Sequence, residues 1–177
     1  MGKLDIPSNL LRSPGCATNE VCRSAKYLAD SFLRIIPNDP TFVPARAFQA
    51  QLKRLFQSLV GKEDGVVALV SEKVEFVDNG ENLEAAYCPV CETSLDLDWW
   101  TAEVDKAYDR DHFATLEVAL PCCGRHLSLN SLRYDWPVGW AKFVLEAHNP
   151  ENDITDDQMD LLTRVCGKPL KKIKACY

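Results

Sequence analysis

Two short stretches carry most of the information in this chain: "YCPVCE", residues 87–92, and "PCCGRH", residues 121–126. A Cys-x-x-Cys turn sets two sulfurs on one side of a tight loop, which is half of a tetrahedral metal site. Pro89 stiffens that loop, and Gly124 permits the left-handed backbone that such a turn needs. The second half is irregular, because Cys122 and Cys123 are adjacent where a regular pair has two residues between its cysteines. Two ligand sets therefore stay open on chemistry alone. One is Cys88, Cys91, Cys122 and Cys123. The other is Cys88, Cys91, Cys123 and His126, since Cys123 and His126 have the regular spacing. Either would hold Zn²⁺. A third reading takes "CPVC" as a dithiol redox turn. That turn should open a helix, whose N-terminus lowers the thiol pKa, but "ETSLDLD" after it does not read as helix.

The flanks of each cluster alternate with period two. Leu83, Ala85 and Tyr87 lead into Cys88, and Ala114, Leu116, Val118 and Leu120 lead into Cys122. A strand is thus expected to enter each cluster, giving a zinc-ribbon-like element at about 83–134. Upstream, residues 65–77 read as one or two strands. "DNGEN" (78–82) contains Asn-Gly, a hairpin-turn signal that predicts pairing of this strand with the next. Between the clusters, Asp98 is the expected N-cap of a helix whose Trp100, Val104, Ala107 and Tyr108 share a face.

Residues 1–25 read as an irregular segment, and 26–177 as one domain. "KYLADSFLRII" (26–36) is ambiguous between a short helix and a helical turn leading into a strand. A helix follows the proline-rich 37–44, with Pro44 in its first turn, Phe48, Leu52, Leu55, Phe56 and Leu59 on one face, and Gly61 at its end. "WAKFVLEAH" (140–148) is a strand that buries Ala141, Phe143, Leu145 and Ala147. Thr155 and Gln158 make a capping box for a helix lined by Met159, Leu162, Val165 and Cys166, with Gly167 as its stop. "LKKIKACY" fits a closing edge strand guarded by lysines. The fold class is α+β, a mainly antiparallel sheet with flanking helices and the ribbon-like element.

The 177 residues are 46% hydrophobic, enough to bury a core without relying on metal. A net charge of −6 disfavours nonspecific nucleic-acid binding, which depends on neutralising phosphates. The longest apolar stretch, near "GVVALV" (65–70), is far short of the roughly 20 residues that span a bilayer. No signal-peptide core is evident, so a cytoplasmic, reducing location is expected. Cys16, Cys22, Cys166 and Cys176 then read as buried thiols. No G-x-S-x-G elbow or P-loop occurs, and Asp105, Asp109, Asp111 and His112 read as a solvated helix face. Residues that can meet a protein partner are Trp99 and Trp100, as aromatic anchors, and the acidic Glu151, Asp153, Asp156 and Asp157.

The segments "VEFVDNGENLEAAYCPVC", "WW", "PCCG", "SLNSLRYDWPVGWAKFVLEAHNP" and "CGKPLKKIKACY" together resemble a group of uncharacterised bacterial proteins over about residues 30–177. The resemblance implies a zinc-ribbon-like element on an α+β body, with Cys88, Cys91, Cys122 and Cys123 as the zinc ligands in preference to the set with His126. Some members of that group look like immunity proteins, which implies a nonenzymatic binding module with a protein partner, a basic toxin domain; the alternative reading is an enzyme, a zinc-dependent hydrolase or a dithiol oxidoreductase.

Overall fold

The computed structural model describes residues 30–61 and 65–177. The architecture is α+β. In chain order, its elements are β1 (Ser31–Pro37), α1 (Arg46–Val60), β2 (Val66–Val77), β3 (Ala86–Tyr87), β4 (Ser94–Leu95), α2 (Leu97–Asp111), β5 (Glu117–Ala119), β6 (His126–Ser128), a 3₁₀ turn (Leu129–Ser131), β7 (Arg133–Tyr134), β8 (Gly139–His148), α3 (Asp156–Cys166) and β9 (Leu170–Cys176).

The main sheet has the order β2-β8-β1-β9, with every pairing antiparallel. The ambiguous 26–36 segment thus contributes the strand β1, between β8 and β9. The closing strand β9 lies at the edge, as its lysines predict. One face of the sheet is covered by α1 and α3. There Leu33 and Ile35 of β1, Val66 of β2, and Phe143, Leu145 and Ala147 of β8 meet Leu52, Phe56 and Val60 of α1 and Leu162 and Cys166 of α3. Helix α1 ends at Gly61 in the left-handed conformation, and α3 begins on the expected Thr155–Gln158 capping box. Two details of α1 differ from expectation. Pro44 precedes the N-cap Ala45 and lies outside the first turn. Phe48 is 51% exposed, because the buried stripe begins one turn later, at Leu52.

Strands β2 and β8 extend past this layer into a second core. Between Val70 and Glu75, the four residues Ser71 to Val74 stand opposite Lys142 alone. This bulge bends β2, and beyond it Val74 and Phe76 pack with Trp140 in the ribbon-side core. That core is completed by Trp100, Val104 and Ala107 of α2, by Phe113, Leu116, Val118 and Leu120, and by Leu129 and Leu132.

The expected 78–82 hairpin is not formed: β2 pairs with β8, not with β3. Asp78 accepts from the Gly80 N–H at 2.8 Å, and the buried Asn79 donates to the Trp136 carbonyl at 2.9 Å. Gly80, at φ +70°, bridges to Cys176 of the edge strand. The Asn-Gly pair therefore steers the chain out of one sheet and into the ribbon. A second correction concerns α2, whose N-cap is Asp96. Its side chain accepts from the Trp99 N–H at 2.9 Å, while Asp98 lies within the first turn. A third concerns Cys176, which is disulfide-bonded and not a thiol. Cys16, Cys22 and the expected irregular segment 1–25 lie outside the described residues. Cys166 is a buried free thiol, as expected.

Candidate metal centre

Two hairpins present the cysteines. The first runs from β3 to β4, and β7 pairs on the other side of β3. The second joins β5 to β6, with Ala119 opposite His126. At the first tip, the Cys88 N–H donates to the Thr93 carbonyl at 3.0 Å, and the Glu92 N–H returns to the Cys88 carbonyl at 3.0 Å. At the second tip, the Leu120 N–H donates to the Arg125 carbonyl at 2.8 Å, and the Gly124 N–H returns to the Leu120 carbonyl at 2.8 Å. The residue that turns each loop has a positive φ, 58° at Glu92 and 66° at Gly124.

The two loops therefore share one hydrogen-bond pattern, and their residues correspond in order. Leu120 stands where Cys88 does, Pro121 where Pro89 does, Cys122 where Val90 does, and Cys123 where Cys91 does. The adjacent cysteines need no special twist of the backbone. One ligand has simply moved from the first position of an ordinary knuckle to the third. The first position is filled instead by Leu120, buried in the ribbon-side core. Sequence spacing alone could not show this, because the alignment of "LPCCGR" on "CPVCET" is fixed by the carbonyls that close each turn.

The four sulfurs of Cys88, Cys91, Cys122 and Cys123 all lie within 4.8 Å of one another. Cys91 faces Cys122 at 3.5 Å, and Cys88 faces Cys123 at 3.9 Å. A tetrahedron of sulfurs around an ion at 2.3 Å has edges of about 3.8 Å, so the cluster can hold a metal ion with little adjustment. His126 is exposed in β6 and is not a member of this group. The Val90 N–H lies 3.4 Å from the Cys88 sulfur, placed to stabilise a thiolate. Cys88 is fully buried, whereas the other three are exposed. The Thr93 hydroxyl and amide, followed by the Cys122 and Cys88 sulfurs, hold the Cys91 thiol down to about 6. Cys122 moves the other way, raised by desolvation and by the sulfurs beside it. Within the group, one sulfur retains a proton that another has released.

The remaining candidates are dispersed. Trp100 is buried in the ribbon-side core, and its indole N–H donates to the Tyr134 hydroxyl at 3.0 Å. Trp99 is partly buried against the same core. Glu151, Asp156 and Asp157 are exposed near the start of α3, in the helix layer. Asp153 there is engaged by Lys172 at 3.4 Å and by Lys174, so it is not a free acid for a partner. The tryptophans and the acids do not form one surface patch built on a common core. Asp105 and Asp109 are exposed on α2, and His112 caps that helix with Glu75 at 3.6 Å. Among the described residues no helix is long and apolar enough to cross a membrane. Comparison with protein-family models, with curated proteins and with solved structures returned no match for this chain.

Proposed function

We propose that the chain is a nonenzymatic, zinc-stabilised protein-binding module. The observation that carries the reading is the convergence of four sulfurs to within 4.8 Å of one another. A site with four thiolates leaves no position for a reactive water, which is the mark of structural rather than catalytic zinc. All-sulfur tetrahedral geometry selects zinc or iron among the common metals, and zinc needs no redox partner to remain bound. Metal analysis of the purified chain tests the centre: one zinc per chain is expected, and stoichiometric iron or no metal overturns it.

The more specific form of the proposal is an immunity protein that covers the cationic site of a bacterial toxin. Its supports are the net charge of −6, the exposed acids Asp98, Asp105 and Asp109 of α2 and Asp156 and Asp157 of α3, and the resemblance described above. Such charge speeds association and makes it salt-sensitive. Affinity capture with the product of an adjacent gene tests this role; it fails if no stable, salt-sensitive complex forms.

A second reading, a dithiol oxidoreductase, draws on the lowered Cys91 thiol. Against it, "CPVC" closes a hairpin, and its other sulfur, on Cys88, is buried. Insulin reduction that survives chelation of metal would favour it. A cytoplasmic location suits a thiolate cluster, while the Cys176 disulfide points to an oxidising one. Thiol trapping in intact cells separates the two.

A further inference from the structure

The cluster is not symmetric with respect to solvent. Cys88 is 0% exposed and its sulfur is held from behind by the Val90 amide. Cys91, Cys122 and Cys123 face outward. The closest pair of sulfurs whose distance is resolved, Cys91 and Cys122 at 3.5 Å, joins the two knuckles and has both members exposed. Of the other cross-knuckle pairs, that of Cys88 and Cys123 at 3.9 Å has one member sealed in the core, as does any pair that uses Cys88.

We propose that Cys91 and Cys122 are an oxidation site: a peroxide joins them as a disulfide across the two knuckles and expels the metal. This inference rests on the metal-centre reading above. One exposed thiolate attacks the O–O bond of hydrogen peroxide, becomes a sulfenic acid, and releases hydroxide. The facing thiolate attacks that sulfur, forms the S–S bond, and expels a second hydroxide. Two thiolates have lost two electrons, and one peroxide has become two hydroxides, which take up two protons as water. The zinc ion keeps its charge throughout. It is left with two sulfurs, and those no longer close a tetrahedron.

The two products within a single knuckle are each disfavoured by something in the fold. A Cys122–Cys123 bond joins sequence neighbours, and its small ring would distort a turn fixed by the Gly124 N–H on the Leu120 carbonyl. A Cys88–Cys91 bond needs the buried sulfur to leave the Val90 amide and meet oxidant it cannot see. The Cys91–Cys122 bond brings two exposed sulfurs from 3.5 Å to the roughly 2.05 Å of a disulfide. It would also replace the ion as the tie between the two hairpins. Metal loss by oxidation should therefore leave the ribbon closed, whereas metal loss to a chelator leaves it open.

The test uses the full chain, assayed first for bound zinc. It is treated with hydrogen peroxide, quenched with an alkylating agent at intervals, and digested without reduction; zinc release is read in parallel. The expected result is one equivalent of zinc released together with a Cys91–Cys122 linkage as the first new disulfide, reversed by reductant and zinc. The untreated sample supplies the reference for the Cys176 bridge. Any other first linkage among the four cysteines overturns the proposal, as does zinc release with only sulfinic acid formed. C123S retains the pair and must still form the linkage. If the chain binds no zinc, the metal-centre reading falls. The same map on the reduced, metal-free protein then decides the pairing by itself, with Cys91–Cys122 upholding it and any other first linkage refuting it.

Discussion

The correspondence between the two knuckles predicts that the displaced ligand can be moved back. In C122V the third loop position becomes valine, as in the first knuckle, and one sulfur is lost from an exposed position. Structural zinc contributes roughly 10–16 kcal/mol in four-ligand peptides, so one sulfur in four is worth about 3 kcal/mol. C122V should therefore bind zinc roughly a hundredfold more weakly. In L120C/C122V, the loop reads Cys-Pro-Val-Cys, like residues 88–91. The new thiol sits where Cys88 sits in its own turn, and most of the lost affinity should return. The double variant also removes about two methylene equivalents from the buried Leu120, 1% exposed, at about 0.8 kcal/mol each before any cavity forms. It should thus recover its metal yet unfold more easily by about 2 kcal/mol in the metal-free state. Zinc competition against a chromophoric chelator reads the first quantity, and urea melts in excess chelator read the second. If L120C/C122V binds zinc no better than C122V, the two turns are not equivalent and the account of the adjacent cysteines is wrong.

Three further outcomes are expected. Ala at Gly124 meets no atom within 4 Å and bears only its positive φ, about 1 kcal/mol, whereas Ala at Gly80 would place its Cβ 2.2 Å from the Cys176 carbonyl. Thermal melts should rank G80A well below G124A, and equal melting points would refute the Gly80 contact. The lowered Cys91 thiol adds stability to the metal-free fold that is whole above its ordinary 9.0 and disappears as pH falls through about 6. Urea midpoints should decline between about pH 8 and 6, below the Lys171 window, in the wild type and not in C91S; the same decline in C91S would reject the assignment. Burial pushes the Lys171 ammonium down to about 8, so the unfolded chain binds more protons between about 8 and 10.5 and stability rises with pH there. K171M should flatten that rise, and an unchanged slope would show that another group causes it.

The parts of the fold that were legible from sequence are those fixed within a few residues. The capping box at Thr155, the glycine stops at Gly61 and Gly167, and the alternation of β8 each depend on neighbours in the chain. The same holds for the first knuckle. What was not legible depends on distant partners. The Asn79-Gly80 pair looks like a hairpin because its local chemistry is that of a turn. Its outcome is decided by Trp136 and Cys176, which capture its side chain and backbone. Asp96 and Asp98 are both competent caps, and the choice falls to Asp96, whose side chain receives the Trp99 amide. The second knuckle was readable as a ligand pair but not as a shifted one, since the signal lies in backbone hydrogen bonds rather than in cysteine spacing. Trp100, weighed as an interface anchor, belongs to the core because Tyr134 accepts its indole proton.

The tryptophans are unevenly placed, and that has a practical consequence. Three of the four, Trp99, Trp100 and Trp140, pack in or against the ribbon-side core, while Trp136 lies beside Lys172 and Lys174 of the edge strand β9. None lies in the core beneath α1 and α3. Indole emission therefore watches mainly the ribbon side, while far-ultraviolet dichroism draws more of its signal from α1 and α3 than from α2. Coincident transitions by the two signals would mean that β2 and β8 bind both halves into one cooperative unit. Separated transitions would give each half its own melting curve, with no added label.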